Sequence, residues 1–410
     1  MESEMKSFIS KLILHAKRKN LLPDKLRKLF QKHIQTMDIR KASWVYKDPY
    51  ANDPPVSSYE SKYPYVLGII KEFWHGHWHY IAACRDLGVA YKVLDISGPD
   101  WQDVIKNAGC DAFLVQPSVQ FNIWKQMYDE RLRIMVNDMG KIIFPSHEEL
   151  WFWDSKRRTH YWLKANNVPH PKTWVFYDCD EALKFVEEVQ LPIVYKSDMG
   201  SGSSGVIIFR KRDLLRKHIT MCFKKGFTTW ERGPSDKEWG SVVLQEYIPD
   251  AKEWRMRRIG KSYFGSQKLR IGEFHSGTGV DVWYDPPRSL LDFTREITEC
   301  KGFKSMSLDV FETTEGRYLV NELHTIFGTN RPYEMLVNGK PGRYLYDHNA
   351  NLWHFEDGIF CQNASCNLRV VALVEIMGGT VELPDVDVDK MVSEEDRQAS
   401  CRDYALQPSR

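Results

Sequence analysis

Residues 191 to 206 read LPIVYKSDMGSGSSGV, an apolar strand that ends in Lys196 and runs into a turn made of Gly200, Ser201, Gly202, Ser203, Ser204 and Gly205. Without Cβ atoms in the way, the backbone N–H groups of such a turn can approach phosphate oxygens, and the lysine adds a point charge. By itself the stretch is equally an ordinary hairpin loop, since Gly/Ser clusters between apolar runs are mostly turns. The rest of the chain decides between the two.

Two acidic residues follow far downstream, Asp309 in SMSLDVF and Glu322 in YLVNELHTIFG, on apolar runs separated by the turn TTEGR. A hairpin of this kind sets two carboxylates at the ends of neighbouring strands, where a hard divalent cation can bridge them to phosphate oxygens. His324 shares the strand face of Glu322 and is a further candidate ligand. Between these runs and the glycine-rich turn lies SVVLQEYIPDAKEWRMRR. Its extended segment Gln245-Glu246-Tyr247-Ile248 can offer backbone groups to the edge of a purine, and Glu253 can hold a ribose diol. Arg255 and Arg257 share one strand face; Arg257 and Arg258 otherwise read as a solvated charged strand. Together these pieces read as an ATP site with its metal ligands.

Composition bounds the rest. The 410 residues are 42% hydrophobic and 13% aromatic, enough for a substantial core divided among two or three units. With 57 basic against 55 acidic residues no global field points to nucleic acid. The eight cysteines are scattered rather than framed as in secreted scaffolds, and Cys361 and Cys366 have no second pair at zinc spacing. No apolar run reaches the length of a membrane span, and no cleavable signal is evident, so a cytoplasmic location is expected.

Residues 1–58 form a basic N-terminal extension, with twelve Lys/Arg against five acids in the first fifty. Phe8, Ile9, Leu12 and Ile13, then Leu26, Leu29, Phe30 and Ile34, predict two helices broken near Pro23. The extension is expected to dock on the body, with contact to an anionic membrane or glycan as the alternative. In 59–150 the runs YVLGII, AYKVLDI, AFLVQP and KIIFP alternate with helical segments, the βαβ rhythm of a small parallel sheet. His75, His77 and His79 follow its first strand and are expected to line a substrate pocket rather than bind zinc. Residues 151–340 predict an α+β body, and 341–410 a C-terminal extension whose last dozen residues fray.

In this order, the motifs of residues 150 to 335 resemble the ATP-grasp superfamily. The resemblance implies an ATP-grasp fold preceded by a preATP-grasp domain, α/β and α+β in class. It implies Lys156 and Lys196 as the two nucleotide lysines, with Ser203, Ser204, Gln245, Glu246, Ile248 and Glu253 completing the ATP site. Asp309 and Glu322 become the Mg²⁺ carboxylates, for two ions with Mn²⁺ as a substitute. NELHTIFG looks like the motif of D-alanine:D-alanine ligases, with His324 where that family usually has asparagine, and EWR with KLR resembles elements of RimK-like ligases. Ser307 stands where the D-alanine ligases have an arginine, and Arg270 is the candidate replacement. The implied activity is ATP-dependent joining of a carboxylate to an amine through an acylphosphate. In it Arg255 and Arg270 act on the phosphoryl group, Gly328 N–H serves the oxyanion, and Arg331 grips a substrate carboxylate. The alternatives are an ATP-grasp kinase and a non-catalytic nucleotide-binding protein. The acid and amine are expected to be small molecules or glycans, nucleic acid is not expected, and a homodimer is common in related enzymes.

Overall fold

The computed structural model describes residues 49–392, apart from 51, 73–75, 118–120, 201–202, 204, 230–235, 271–280, 329–330 and 389–390. The expected N-terminal helices, His75, Ser204 and the fraying C-terminus lie outside the described residues.

The first sheet is the parallel one that the βαβ rhythm predicts. Its strands are β1 (Val66–Ile70), β2 (Ala90–Leu94), β3 (Ala112–Leu114) and β4 (Ile143–Phe144), in the order β2-β1-β3-β4. Leu67, Ile69, Phe113 and Leu114 are fully buried because helices cover both faces, which is why these strands read as continuous apolar runs rather than alternating ones.

A second, antiparallel sheet holds β5 (Thr173–Phe176), β6 (Ile193–Lys196), β7 (Val206–Phe209) and β8 (Val242–Glu246) in the order β5-β8-β6-β7. Helices Cys179–Glu188 and Arg212–Lys224 close its core through Ala182, Val186, Leu215 and Ile219. The hairpin β6–β7 carries the glycine-rich turn at its tip.

The third sheet comprises β9 (Lys252–Ile259), β10 (Ser262–Lys268), β11 (Asp281–Val282), β12 (Ser305–Glu312), β13 (Tyr318–His324), β14 (Leu336–Val337), β15 (Lys340–Asp347) and β16 (Leu352–Asp357). Its path is β13-β12-β9-β10-β15-β14, with β11 paired to β10 and β16 to β15. In β9, Trp254 and Met256 enter the core with Leu308 and Val310 of β12, and the amphipathic helix Arg288–Glu299 adds Leu290, Leu291 and Ile297. The opposite face of β9 presents Glu253, Arg255 and Arg257.

Two expectations are corrected. Residues from 341 onward are not an appended extension. β15 and β16 complete the third sheet, and helix Gln362–Ile376 packs on helix Trp78–Leu87 of the first unit through Cys366, Val370, Leu373 and Val374. Arg257 and Arg258 do not form a solvated strand face. Both are buried, Arg257 against Glu334 at 3.0 Å and Arg258 against Thr298 Oγ1 at 3.0 Å and the Gly260 carbonyl at 3.0 Å. A buried guanidinium is tolerated here because each has acceptors in fixed positions.

The units are joined by buried polar contacts. Ser146 and Glu149 form a capping box at the helix His147–Leu150, and the same Glu149 carboxylate accepts the backbone N–H groups of Lys304, at 2.6 Å, and Ser305. The Thr325 hydroxyl donates to the Glu149 carbonyl. Burial pushes the Glu149 carboxyl up, against the pull of these donors. Glu149→Ala leaves three backbone N–H groups in a buried setting without an acceptor, so a loss of about 3 kcal/mol is expected, read as a lower urea midpoint, with Glu149→Gln less affected.

Candidate functional site

Register builds the site. Across the third sheet Glu253 of β9 lies opposite Lys268 of β10, Arg255 lies opposite Asp309 of β12, and Asp309 lies opposite Glu322 of β13. Residues directly opposite in antiparallel strands point to the same face, so these side chains converge. A register shift between Asp309 and Val310 marks the β12–β13 pairing next to the acid.

Asp309 is 1% exposed and takes a two-pronged contact from Arg255, Nε to Oδ1 at 2.9 Å and Nη2 to Oδ2 at 3.1 Å, with Lys268 Nζ also on Oδ2. Lys268 reaches Glu253 Oε1 at 2.6 Å as well. His324 Nε2 lies 3.1 Å from Glu322 Oε2 and 3.7 Å from Asp309 Oδ2. Burial would raise both carboxyls, but Arg255 and Lys268 beside Asp309, and His324 and Lys156 beside Glu322, hold them well below the usual range. For His324 burial works downward and is outweighed by Glu322 and Asp309, leaving it at about 9.

From the other side come the two lysines. Ser155 caps the helix Lys156–Ala165, and Lys156 at its first position sends Nζ to Glu322 Oε1 at 2.9 Å and to the Gly200 carbonyl at 2.6 Å. Lys196, at the end of β6, donates to Asn321 Oδ1 at 2.6 Å. Burial lowers Lys196 to about 8, Glu322 opposing and Lys156 reinforcing the shift. Between this helix and the sheets is a narrow cleft lined by Lys156, Lys196, Gln245, Thr159, His160 and Asn321. Thr159 Oγ1 and His160 Nδ1 are buried there without a hydrogen-bond partner among the described residues. Such orphaned groups fit a cleft that takes a polar ligand.

Not every predicted residue enters this cluster. Gln245 Nε2 donates to Thr173 Oγ1 at 3.1 Å, Glu246 accepts Lys172 N–H at 2.6 Å at the end of β8, and Ile248 follows half-buried. Glu253 is 3% exposed and its Oε1 is held by Lys268, so a ribose contact would require that pair to open. Arg270 is exposed and pairs with Asp250 at 3.1 Å. Gly328 abuts Ala364, whose carbonyl oxygen would lie 2.6 Å from an added Cβ, and Arg331 stacks over Trp283 at 5.6 Å. Ser203 adopts φ 62° in the turn.

His77 faces inward and contacts the Glu72 carbonyl at 3.0 Å through Nδ1, and burial lowers the pKa of His79, with Arg369 adding to the effect. The sequence reading overlooked Lys268 and Asn321. Counting back from the two-residue turn Gly260-Lys261 pairs Glu253 with Lys268 and finds the first; Asn321 is fixed only by the meeting of two sheets.

Among the described residues, Asp309, Glu322 and His324 are a group with ligand atoms within 4.8 Å of one another. Two ionised carboxylates suit a hard cation such as Mg²⁺, and the imidazole is a donor once deprotonated. No helix of the described residues is long and apolar enough to cross a membrane.

No family model matches the chain. Over 197 residues, 47% of this chain and 68% of the relative, it is 21% identical to the alpha-aminoadipate–LysW ligase LysX of Saccharolobus solfataricus. Its fold is similar to the biotin carboxylase domain of Hydrogenobacter thermophilus 2-oxoglutarate carboxylase, solved with MgADP, ADP and bicarbonate. That match has a TM-score of 0.54 and 13% identity and covers 80% of this chain and 72% of that one. A RimK domain ATP-grasp protein of Sphaerobacter thermophilus matches with a TM-score of 0.43 and 16% identity over 63% of this chain and 89% of that one. The parallel sheet and the antiparallel sheets that follow it are similar in fold to that biotin carboxylase domain.

Proposed function

We propose that this protein activates a carboxylate with ATP as an acylphosphate and joins it to an amine, releasing ADP and phosphate. The observation that carries the reading is the convergence of Lys156, Lys196, Arg255 and Lys268 on the Asp309, Glu322 and His324 cluster. Four fixed cations beside three metal-ligand groups suit a triphosphate with its divalent ions, because phosphoryl transfer is served mainly by positioning and charge neutralisation.

Lys156 and Lys196 would take the phosphate oxygens with the glycine-rich turn, and Gln245, Glu246 and Ile248 would face the base. Asp309 and Glu322, with His324, would hold two Mg²⁺ or Mn²⁺ ions, which supply neutralisation of charge on the phosphates when bound. Lys268, held by Glu253, and Arg255 keep Asp309 ionised and oriented. In the first step a carboxylate oxygen attacks the γ-phosphorus and the bond to the bridging oxygen breaks, giving ADP. In the second, the amine attacks the acyl carbon, phosphate leaves with the carbon–oxygen electron pair, and the nitrogen loses a proton. The Gly328 N–H would serve the oxyanion and Arg331 would hold a substrate carboxylate.

With Mg-ATP and pooled small carboxylates and amines, substrate-dependent ADP and free phosphate are expected from the wild type. Asp309→Asn and Glu322→Gln are each expected to lose at least about a hundredfold. ADP with phosphate retained on a substrate would make the protein a kinase instead, and no nucleotide turnover or binding would sink the catalytic reading.

A second expectation concerns pH. Lys196 is lowered to about 8, so the amine gives up its proton, and with it the charge a phosphate needs, as pH rises through that value. ATP affinity is therefore expected to fall from pH 7 to 9, with proton uptake on binding near pH 8. Calorimetry in buffers of different ionisation enthalpy reads both. Lys196→Met should bind weakly at every pH and lose the proton uptake; the same uptake in this variant would assign it to another group.

A further inference from the structure

The stem of the glycine-rich turn is anchored by a residue far from it in sequence. In the insertion that follows the helix Arg212–Lys224, Phe227 and Glu238 are paired by two backbone hydrogen bonds, both 2.8 Å. Gly226, at φ +70°, permits the return; an added Cβ would lie 3.0 Å from the Glu238 carbonyl oxygen. From this fold-back the Glu238 carboxylate crosses to the end of β6, where Oε2 accepts Asp198 N–H at 2.7 Å and Oε1 accepts Met199 N–H at 2.8 Å.

Every backbone group of Asp198, Met199 and Gly200 is thereby engaged. The Asp198 carbonyl accepts Lys156 N–H at 3.1 Å, the Met199 carbonyl accepts the Ser197 hydroxyl at 2.7 Å, and Gly200 donates to Asp154 at 3.0 Å and accepts from Lys156 Nζ. On the return side, Ser197 N–H reaches the Gly205 carbonyl at 2.8 Å, and the Ser197 Oγ lies 1.7 Å from where a Gly205 Cβ would be. Consecutive amides have few ways to be held in one orientation, and a carboxyl group taking one on each oxygen is one of them; burial pushes the Glu238 carboxyl up to about 7, against the pull of the two amides. The same insertion touches the first unit, where Asp236 accepts Asn122 N–H at 3.2 Å at the start of the helix Asn122–Asn137.

We propose that Glu238 is a positioning residue for ATP: by clamping the amides of Asp198 and Met199 it holds the chain just beyond β6, with Lys196 on one side and the Gly200 carbonyl that seats Lys156 on the other, in place for the phosphates. The inference rests on the nucleotide-site reading above. The clamp acts on the segment between Lys196 and the Lys156 contact and not on the base pocket, so its removal is expected to cost phosphate recognition selectively.

The test titrates the full-length wild type, Glu238→Ala and Glu238→Gln with the magnesium complex of a non-hydrolysable ATP analogue and, separately, with adenosine. Glu238→Ala should weaken the analogue by about tenfold or more while leaving adenosine unchanged. Glu238→Gln, which keeps one acceptor oxygen and turns an amide N–H toward a backbone N–H, should fall between; being isosteric, it carries the comparison if the alanine variant fails to fold. Equal losses for both ligands would overturn the proposal in favour of a general structural role, and so would unchanged affinity for the analogue. A wild type that binds neither ligand would instead overturn the nucleotide site itself, and the positioning role with it.

Discussion

Asp309 is an ionised carboxylate with almost no access to water, and that constraint organises the centre of the molecule. A buried charge of this kind persists only when partners replace its hydration. Arg255 and Lys268 are those partners, and both are delivered by the register of β9, β10 and β12 rather than by loops. A one-residue slip in any of these pairings would send one member to the opposite face. The apolar alternation of Trp254, Met256, Leu308 and Val310 on the core side fixes the register, so the charged face inherits its geometry from the hydrophobic one.

The same cluster shows how buried acids and bases coexist. Lys156 sits on Glu322, Lys268 bridges Glu253 and Asp309, and His324 contacts both Asp309 and Glu322. Each cation meets a carboxylate, so the buried charges compensate one another.

Joining three sheets into one site takes polar contacts between units. Glu149 fastens the end of the first unit to the start of β12, and Arg369 on the last helix donates to the Phe327 carbonyl just beyond His324 and to the Ala364 carbonyl at 2.9 Å. Asn363, Ala364 and Ser365 ahead of it are all left-handed, with φ of 51°, 55° and 67°. Such a run costs about 1 to 2 kcal/mol per residue for non-glycine side chains; Asn363 Nδ2 donates to Asp86 at 2.7 Å, and Ala364 lies where a side chain at Gly328 would be. The C-terminal helix thus supports the chain just beyond Glu322 and His324, which its position in the sequence conceals.

The sequence by itself determined the parallel first sheet, the β12–β13 hairpin with Asp309, Glu322 and His324 on one face, and Lys196 at the mouth of the glycine-rich turn. In each case the cause is local: periodicity of two, turn residues between apolar runs, or alternating side-chain direction along a strand. Even Lys268 was legible by counting from a two-residue turn. What only the tertiary structure decided is contact between segments far apart in sequence. The meeting of Lys196 with Asn321, the burial of Arg257 on Glu334, the reach of Glu238 to Asp198, and the return of residues from 341 into the third sheet and the first core are all of this kind. None has a local signature, because a charged or polar residue reads the same whether it meets water or a partner brought by the fold, and only packing settles which.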